Sequence, residues 1–150
     1  MPDTADTAGS TVAVDALDAA DRALLDAART FQARAYAPYS RFRVGAALRV
    51  ADGPVVGGCN VENAAYPSTI CAERAAVVAA VSAGHQRFEA IAVIGSGDGP
   101  TTPCGTCRQV LFEFAPELRV IAAGESGDVA VHRLADLLPH GFGPHRLEHG

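Results

Sequence analysis

Apolar residues recur at intervals of three and four near the start of the chain, at Leu17, Ala20, Leu24, Ala28, Phe31 and Ala35. The positions between them carry charges, at Asp15, Asp18, Asp21, Asp26 and Arg29. This spacing predicts an amphipathic helix whose aspartates face solvent. The helix should end before Pro38, because the residue preceding a proline disfavours helical dihedral angles. Residues 1–12 show no such pattern, and we expect a flexible tail there.

Further along the chain, β-prone runs alternate with helical stretches. Residues 43–50 and 55–61 flank the turn-forming sequence Ala51-Asp52-Gly53-Pro54 and predict a hairpin. Residues 71–83, apolar on almost every side and followed by Gly84, predict a helix buried on most sides.

The second half of the chain completes the predicted order of elements. A third helix is predicted over residues 104–114, and short strands are predicted over 90–94, 118–122 and 128–131. This order predicts an α/β fold, a three-layer sandwich in which a mixed five-stranded sheet carries helices on both faces. We expect one domain over residues 13–142, followed by a C-terminal tail over 143–150.

Composition and charge narrow the class of partner. The chain has 150 residues, 49% of them hydrophobic, and a net charge of -5, and its twelve basic residues are all scattered arginines. A nucleic-acid binder usually presents a cationic stripe, so we expect no nucleic-acid partner and favour a small molecule. The longest apolar run, Ala75 to Val81, is far shorter than the roughly 20 residues that span a bilayer. Because the first residues also lack the features of a secretion signal, we expect a cytoplasmic protein without membrane contact.

Two cysteine segments carry the strongest chemical signal, Cys71-Ala72-Glu73 and Pro103-Cys104-Gly105-Thr106-Cys107. Both lie at predicted helix starts, where exposed N–H groups stabilise thiolates. Three thiols leave one coordination position open, which is typical of catalytic zinc sites, so we predict one Zn²⁺ per chain. A structural zinc site closed by Cys59 is the alternative.

Glu73 is the candidate catalytic residue, because a carboxylate next to a sulfur-rich zinc site is better suited to moving protons than to binding the metal. Residues two apart on a helix are rotated by about 200°. Cys71 must therefore lie at the very start of its helix if Glu73 is to face the same site. Arg74, one turn beyond Cys71, is predicted to donate a hydrogen bond to a ligand sulfur.

This arrangement resembles that of zinc deaminases, which combine three ligands with a glutamate that does not bind the metal. The resemblance extends to the segments Pro38–Leu48, Asn60–Tyr66, Cys71–Arg74 and Pro103–Gln109. Together they resemble the small, homotetrameric cytidine deaminase family, over about residues 36–142. The resemblance implies zinc-dependent hydrolytic deamination of cytidine and deoxycytidine to the corresponding uridines, with release of ammonia, in pyrimidine salvage.

The resemblance also implies binding roles for individual residues. Asn60 and Glu62, two apart at a predicted strand end, would hold a ribose hydroxyl. Phe42 would lie against the pyrimidine or the sugar. Backbone groups around Ala72 and Cys104 would read the edge of the base.

Two further residues, Tyr66 and Phe142, would reach the site from neighbouring subunits, so that the homotetramer would share its active sites. Two rival functions remain at this point. One is a deaminase of another aminopyrimidine or of a polynucleotide, which would share the zinc site but not the ribose contacts. The other is a zinc-stabilised interaction domain without catalytic activity.

Overall fold

A computed structural model of the chain describes residues 11–147. Its regular elements are β1 (Thr11–Ala13), α1 (Ala19–Gln32), β2 (Val44–Val50), β3 (Val55–Cys59), α2 (Ala72–Ser82), β4 (Phe88–Gly95), α3 (Gly105–Phe114), β5 (Arg119–Ala123), β6 (Asp128–Arg133) and α4 (Leu134–Leu137). Among the described residues, no helix is both long and apolar enough to cross a membrane.

The strands form one mixed sheet in the order β1-β6-β5-β4-β2-β3. Strands β4 and β5 pair in parallel, and the other neighbours pair antiparallel. Helix α1 covers one face, and α2, α3 and α4 cover the other. The predicted α/β class, with helices on both faces of a mixed sheet, is thereby confirmed.

Both faces of the central strands are buried, and neighbouring residues alternate between the two cores. In β2, Ala46 and Leu48 pack toward α2, whereas Ala47 packs toward α1. Strand β4 follows the same rule, since Ile91 and Val93 face α2 and Ile94 faces α1. A strand covered on both faces is apolar at nearly every position, which explains the continuous apolar run in β4.

Within residues 11–147, the sheet has six strands, one more than predicted. The additional strand, β1, includes Thr11 and Val12, which the sequence analysis assigned to the flexible tail. Its three residues pair with β6, with Val12 opposite Val129. So short a strand has no periodic signature of its own, and its pairing with a strand far away in the sequence is what defines it. Residues 1–10 and 148–150, the outer parts of the predicted tails, lie outside the described residues. The inner part of the predicted C-terminal tail contains a short 3-10 helix, Pro144–Arg146.

Asp21 does not face solvent as predicted, because it lies on the buried side of α1 and is 1% exposed. Arg49 of β2 donates to its Oδ1 atom at 2.8 Å, and Arg119 of β5 donates to Oδ2 at 2.9 Å. Burial acts to raise the pKa of the Asp21 carboxyl, but the hydrogen bonds and charges of the two arginines outweigh it and lower that pKa. Asp21 thus ties α1 to two strands of the sheet.

We expect Asp21→Asn to lower the free energy of unfolding at neutral pH by about 1–3 kcal/mol, because two charge-assisted hydrogen bonds are weakened. The difference from wild type should be complete above the unfolded pKa of about 3.9 and should vanish as the pH falls through the lower pKa of folded Asp21. Urea unfolding at a series of pH values measures it. Asp26→Asn, exposed on the same helix, is the control. A destabilisation that does not depend on pH would contradict the assignment.

Candidate active site

Cys71 and Cys104 occupy equivalent positions at the N-termini of two helices. Each is the residue immediately before the first turn, of α2 and α3 respectively, and each has extended backbone dihedral angles. The geometric condition on Cys71 is therefore met, and the first turn of α2 carries Glu73 beside the thiols. Both sulfur atoms therefore lie at the electropositive end of a helix.

Three cysteines form one cluster. The sulfur atoms of Cys71, Cys104 and Cys107 all lie within 4.8 Å of one another, and those of Cys71 and Cys104 are 3.9 Å apart. Tetrahedral zinc with Zn–S bonds of about 2.3 Å places its sulfurs about 3.8 Å apart, so the cluster fits this ion. Cys107 is buried whereas Cys104 is exposed, which leaves one side of the cluster open. Cys59 is not in the cluster, and its thiol donates to the Arg34 carbonyl at 3.6 Å.

The thiols perturb one another strongly. A hydrogen bond with Cys107 lowers the pKa of Cys71, to about 5, against the effect of burial, and Arg74 and Cys104 lower it further. The same hydrogen bond, together with burial, raises the pKa of Cys107. A thiolate at Cys71 is the form that binds a metal.

Arg74 lies against the thiol cluster. Its Nη2 atom donates to Cys71 Sγ at 3.6 Å and to the Thr69 carbonyl at 3.2 Å. The hydrogen bond to Cys71 is the main cause that raises the pKa of Arg74. The Arg74 Nε atom is buried and has no hydrogen-bond partner among the described residues. The guanidinium therefore places a positive charge beside the sulfurs.

Glu73 is 4% exposed, an unusual burial for a carboxylate. Burial is the main cause that raises its pKa, to about 7, and the negative charge at Cys71 acts in the same direction. The backbone N–H of Glu73 and the charge of Arg74 act in the opposite direction. Buried carboxyl groups with raised pKa values are frequent among catalytic acids and bases.

A cavity of about 280 Å³ is lined by Glu73 and by two residues of the thiol cluster, Cys71 and Cys104. Its lining consists of Phe42, Val44, Asn60, Thr69, Cys71, Ala72, Glu73, Thr101, Thr102 and Cys104. The sequence predicted six residues for substrate contact besides the cysteines and Glu73. Three of them, Phe42, Asn60 and Ala72, line this cavity. The sequence analysis missed Thr101 and Thr102, although their position directly before Pro103-Cys104 was a signal that could have identified them.

A larger cleft, of about 630 Å³, lies at the opposite end of the sheet and is lined by residues that include Arg119, His132 and Arg133. The described thiol cluster is not part of it. The cleft has the larger volume, but the smaller cavity combines thiols that can bind a metal with a buried carboxyl group. The chemistry of the lining therefore places the candidate site at the smaller cavity.

Asn60 and Glu62 contact the backbone of the segment that carries Phe42. Asn60 lies just beyond β3, which ends at Cys59, and accepts from the Val44 N–H at 2.9 Å. Its Nδ2 atom donates to the Phe42 carbonyl at 2.8 Å. Glu62 accepts from the backbone N–H groups of Tyr39 and Ser40, and these hydrogen bonds lower its pKa although desolvation opposes them. In this structure, both side chains hold the wall of the cavity.

Tyr66 and Phe142 do not line the cavity of their own chain. Their side chains are 70% and 57% exposed. Tyr66 packs edge-on against Tyr39, and the Phe142 carbonyl accepts from Gln109 on α3 at 2.7 Å. Both rings are thus held at the surface.

Gly58 of β3 allows α2 to approach the sheet closely. A Cβ atom at this position would lie 2.6 Å from the Ala76 nitrogen and 2.7 Å from the Ala72 carbonyl oxygen. Distances of this size are too short for real Cβ contacts, and the atoms that they involve belong to the backbone of α2. The absence of a side chain at Gly58 therefore sets where the first turn of α2, and with it Glu73, meets the sheet.

We expect Gly58→Ala to lower the free energy of unfolding by about 1–3 kcal/mol, because the added methyl group overpacks a rigid contact. It should also weaken metal retention, because the displaced helix begins at Cys71. Urea unfolding and zinc content after dialysis measure the two effects. Gly99→Ala is the control, since a Cβ there meets no atom within 4 Å. Equal behaviour of the two variants would refute the prediction.

Comparison with known proteins gives matches over most of the chain. A family model described as the cytidine and deoxycytidylate deaminase zinc-binding region matches residues 18–123. A cytidine deaminase of Sporosarcina psychrophila is 46% identical over 117 residues, which cover 77% of this chain and 86% of that protein. A cytidine deaminase of Mycobacterium tuberculosis is 50% identical over 111 residues, covering 74% and 80%. The crystal structure of cytidine deaminase from Burkholderia pseudomallei superposes with a TM-score of 0.78 at 51% identity, covering 80% of this chain and 97% of that one.

Proposed function

The chain belongs to the cytidine and deoxycytidylate deaminase family, and we propose from this premise that it deaminates cytidine and deoxycytidine hydrolytically to uridine and deoxyuridine. The observation that carries the proposal is the union of a three-thiol cluster and a buried glutamate in one cavity. The family is zinc-binding, and the donor set and sulfur spacing fit that ion. The open side of the cluster favours a catalytic site over a structural one.

The cysteines, the glutamate and the arginine divide the chemistry among them. Cys71, Cys104 and Cys107 would hold zinc, which when bound supplies a nucleophile at neutral pH by lowering the pKa of water. Glu73 accepts one proton from the attacking water and delivers it to N3 of the base, then accepts the remaining proton of the hydroxyl group on C4 and delivers it to the departing amino group. Water adds to C4, the C4–N bond breaks, and ammonia leaves. Arg74 supports the ligand sulfurs with its hydrogen bond to Cys71.

The substrate contacts follow from the lining of the cavity. Phe42 presents an aromatic surface for the pyrimidine or sugar, and backbone groups around Ala72 and Cys104 face the base edge. Asn60 retains one amide hydrogen and one lone pair beyond its two backbone contacts. We assign that remaining capacity, together with Glu62, to the ribose hydroxyls.

The test is a spectrophotometric assay of the purified, zinc-loaded protein with cytidine, deoxycytidine, cytosine, CMP and a cytosine-containing single-stranded oligonucleotide. The proposal requires turnover of the two nucleosides and little turnover of the other three. Turnover of the oligonucleotide or of free cytosine in preference to cytidine would identify the first rival function. Full zinc occupancy without any turnover would favour the interaction domain.

We further propose that the protein is a homotetramer with shared active sites. The support is that the aromatic rings of Tyr66 and Phe142 are exposed and do not line the cavity of their own chain. The proposal includes a cytoplasmic location, because the three thiols of the cluster would remain reduced there. It also includes a role in pyrimidine salvage, which follows from the proposed substrates.

Removal of the chain from Phe142 onward is expected to raise the KM for cytidine, because this ring would complete the site of a neighbouring subunit. When this truncated chain is co-assembled with an inactive Glu73→Ala chain, part of the activity should return. In such a mixture, some sites combine an intact Glu73 with a neighbour's intact Phe142. Activity is measured on mixed oligomers isolated with two affinity tags, and truncated homo-oligomers serve as the control. Proven mixed oligomers without regained activity would contradict shared sites.

A further inference from the structure

Phe42 is carried by the segment Tyr39–Val44, which leads into β2 and in which every backbone N–H has an acceptor. For five of the six residues that acceptor is a side chain. Arg41 alone uses a backbone carbonyl, that of Ala37, and has a positive φ of 61°. Before Val44, where β2 begins, the segment has no strand or helix partners, and the side chains around it hold it in one conformation. We call Tyr39–Val44 the wall segment.

Ser96 supplies one of these acceptors from the end of β4. It follows β4 directly, and the last pair of the β2–β4 ladder is Val44 with Gly95. One residue further, the Ser96 N–H donates to the Arg43 carbonyl at 3.0 Å, and the Arg43 N–H donates to Ser96 Oγ at 3.0 Å. The hydroxyl thus replaces a backbone carbonyl and continues the sheet by one pair where the wall segment leaves it.

The ring of Phe42 rests on the backbone on both sides of Ser96. A Cβ atom built at Gly95 would lie 2.8 Å from Phe42 Cζ, and one at Gly97 would lie 3.4 Å from Cε2. The two glycines therefore form a flat surface beneath the ring. Since Ser96 also holds the neighbouring residue Arg43, it controls both the backbone next to Phe42 and the surface against which the ring packs.

We propose that Ser96 is a positioning residue for nucleoside binding, which acts by fixing Phe42 at the wall of the active site. The inference rests on the proposed function, because it assigns Phe42 to contact with the substrate. Ser96 does not line the cavity and touches none of the thiols in the structure. Its removal should therefore affect binding of the nucleoside more than the chemical step.

The test compares Ser96→Ala with Ser96→Thr in steady-state deamination of cytidine. Loss of the hydroxyl should raise KM about threefold to tenfold, the effect of one lost hydrogen bond, and leave kcat within about twofold. Threonine keeps the acceptor and should return KM to within about twofold of wild type. Ser126→Ala, exposed in the turn between β5 and β6, is the control and should behave as wild type. If Ser96→Ala does not fold, Ser96→Val replaces it, because valine and threonine differ only in the hydroxyl.

A double-mutant cycle with Phe42→Leu separates positioning from general structural support. If Ser96 acts through the ring, Ser96→Ala should change KM by less than about twofold in the Phe42→Leu background. Equal effects of Ser96→Ala in both backgrounds, or no effect in the wild-type background, would overturn the inference while leaving cytidine deamination intact. A zinc-loaded wild type that does not turn over cytidine would overturn the proposed function and this inference with it.

Discussion

Replacing Glu73 with alanine is expected to reduce kcat for cytidine by about 10⁴-fold or more, at or beyond the upper end for a single general acid-base group. The expected effect is this large because one residue is assigned several proton transfers. Among the described residues that line the cavity, Glu73 is the sole carboxyl group, so none of them can replace it. Zinc content should remain at one per chain, because Glu73 is not assigned as a ligand. Kinetics and zinc content of the same preparation measure both.

Glu113→Ala is the matched control, because Glu113 is exposed on α3, the helix that carries Cys107. This variant should retain wild-type activity and zinc. Activity of Glu73→Ala within about tenfold of wild type would lie below the range for general acid-base catalysis and would remove Glu73 from the mechanism. Loss of zinc together with activity would instead assign Glu73 a part in holding the metal site.

The features that the sequence predicted are those encoded within a few residues. The starts of α2 and α3 at Cys71 and Cys104 could be predicted because local spacing and the end of a helix place a thiol before the first turn. The proximity of the two segments, 33 residues apart, did not follow from spacing. It followed from the chemistry, because three thiols and one carboxylate make a coherent site only when they meet.

Asp21 shows where local periodicity fails. Its position among other aspartates indicated the solvent face of α1, and the buried stripe of the helix includes it all the same. The partners that make its burial favourable are 28 and 98 residues away, at Arg49 and Arg119. A pattern confined to one helix carries no information on such partners, so the sequence analysis predicted that the Asp21 side chain faces solvent.

The wall segment shows a second limit. Asn60 and Glu62 were predicted to emerge on one face of a strand, but β3 ends at Cys59, before either residue. Their hydrogen bonds to the wall segment span between 16 and 23 residues and join two irregular regions. Irregular backbone has no sequence period, and its acceptors can be identified only in three dimensions. Ser96, which appears as an ordinary serine in a glycine-rich loop, was missed for the same reason.

Cys104→Ala should lose zinc and deamination together. Two sulfurs from different helices would remain. Loss of a group that only hydrogen-bonds a metal ligand lowers metal affinity by up to about 100-fold, so we expect loss of a ligand itself to lower zinc affinity by more than that. Cys104 is the best of the three cysteines for this test, because it is exposed whereas Cys107 is fully buried. Its truncation therefore leaves no cavity in the core, and loss of metal is not confounded with misfolding. Zinc content, cytidine turnover and far-ultraviolet circular dichroism are measured on the same sample.

The control is Cys59→Ala, which distinguishes the catalytic site from a four-cysteine structural site. Cys59 lies outside the thiol cluster and donates its hydrogen bond to the Arg34 carbonyl, so its removal should leave zinc content and kcat within about twofold of wild type. A structural site would respond in the opposite way, since loss of any one of four ligands weakens the metal and the fold together. Full zinc occupancy in Cys104→Ala, combined with zinc loss in Cys59→Ala, would replace Cys104 by Cys59 as a ligand. Zinc loss in both variants would instead make Cys59 a fourth ligand and would remove the open coordination position on which the deaminase mechanism depends.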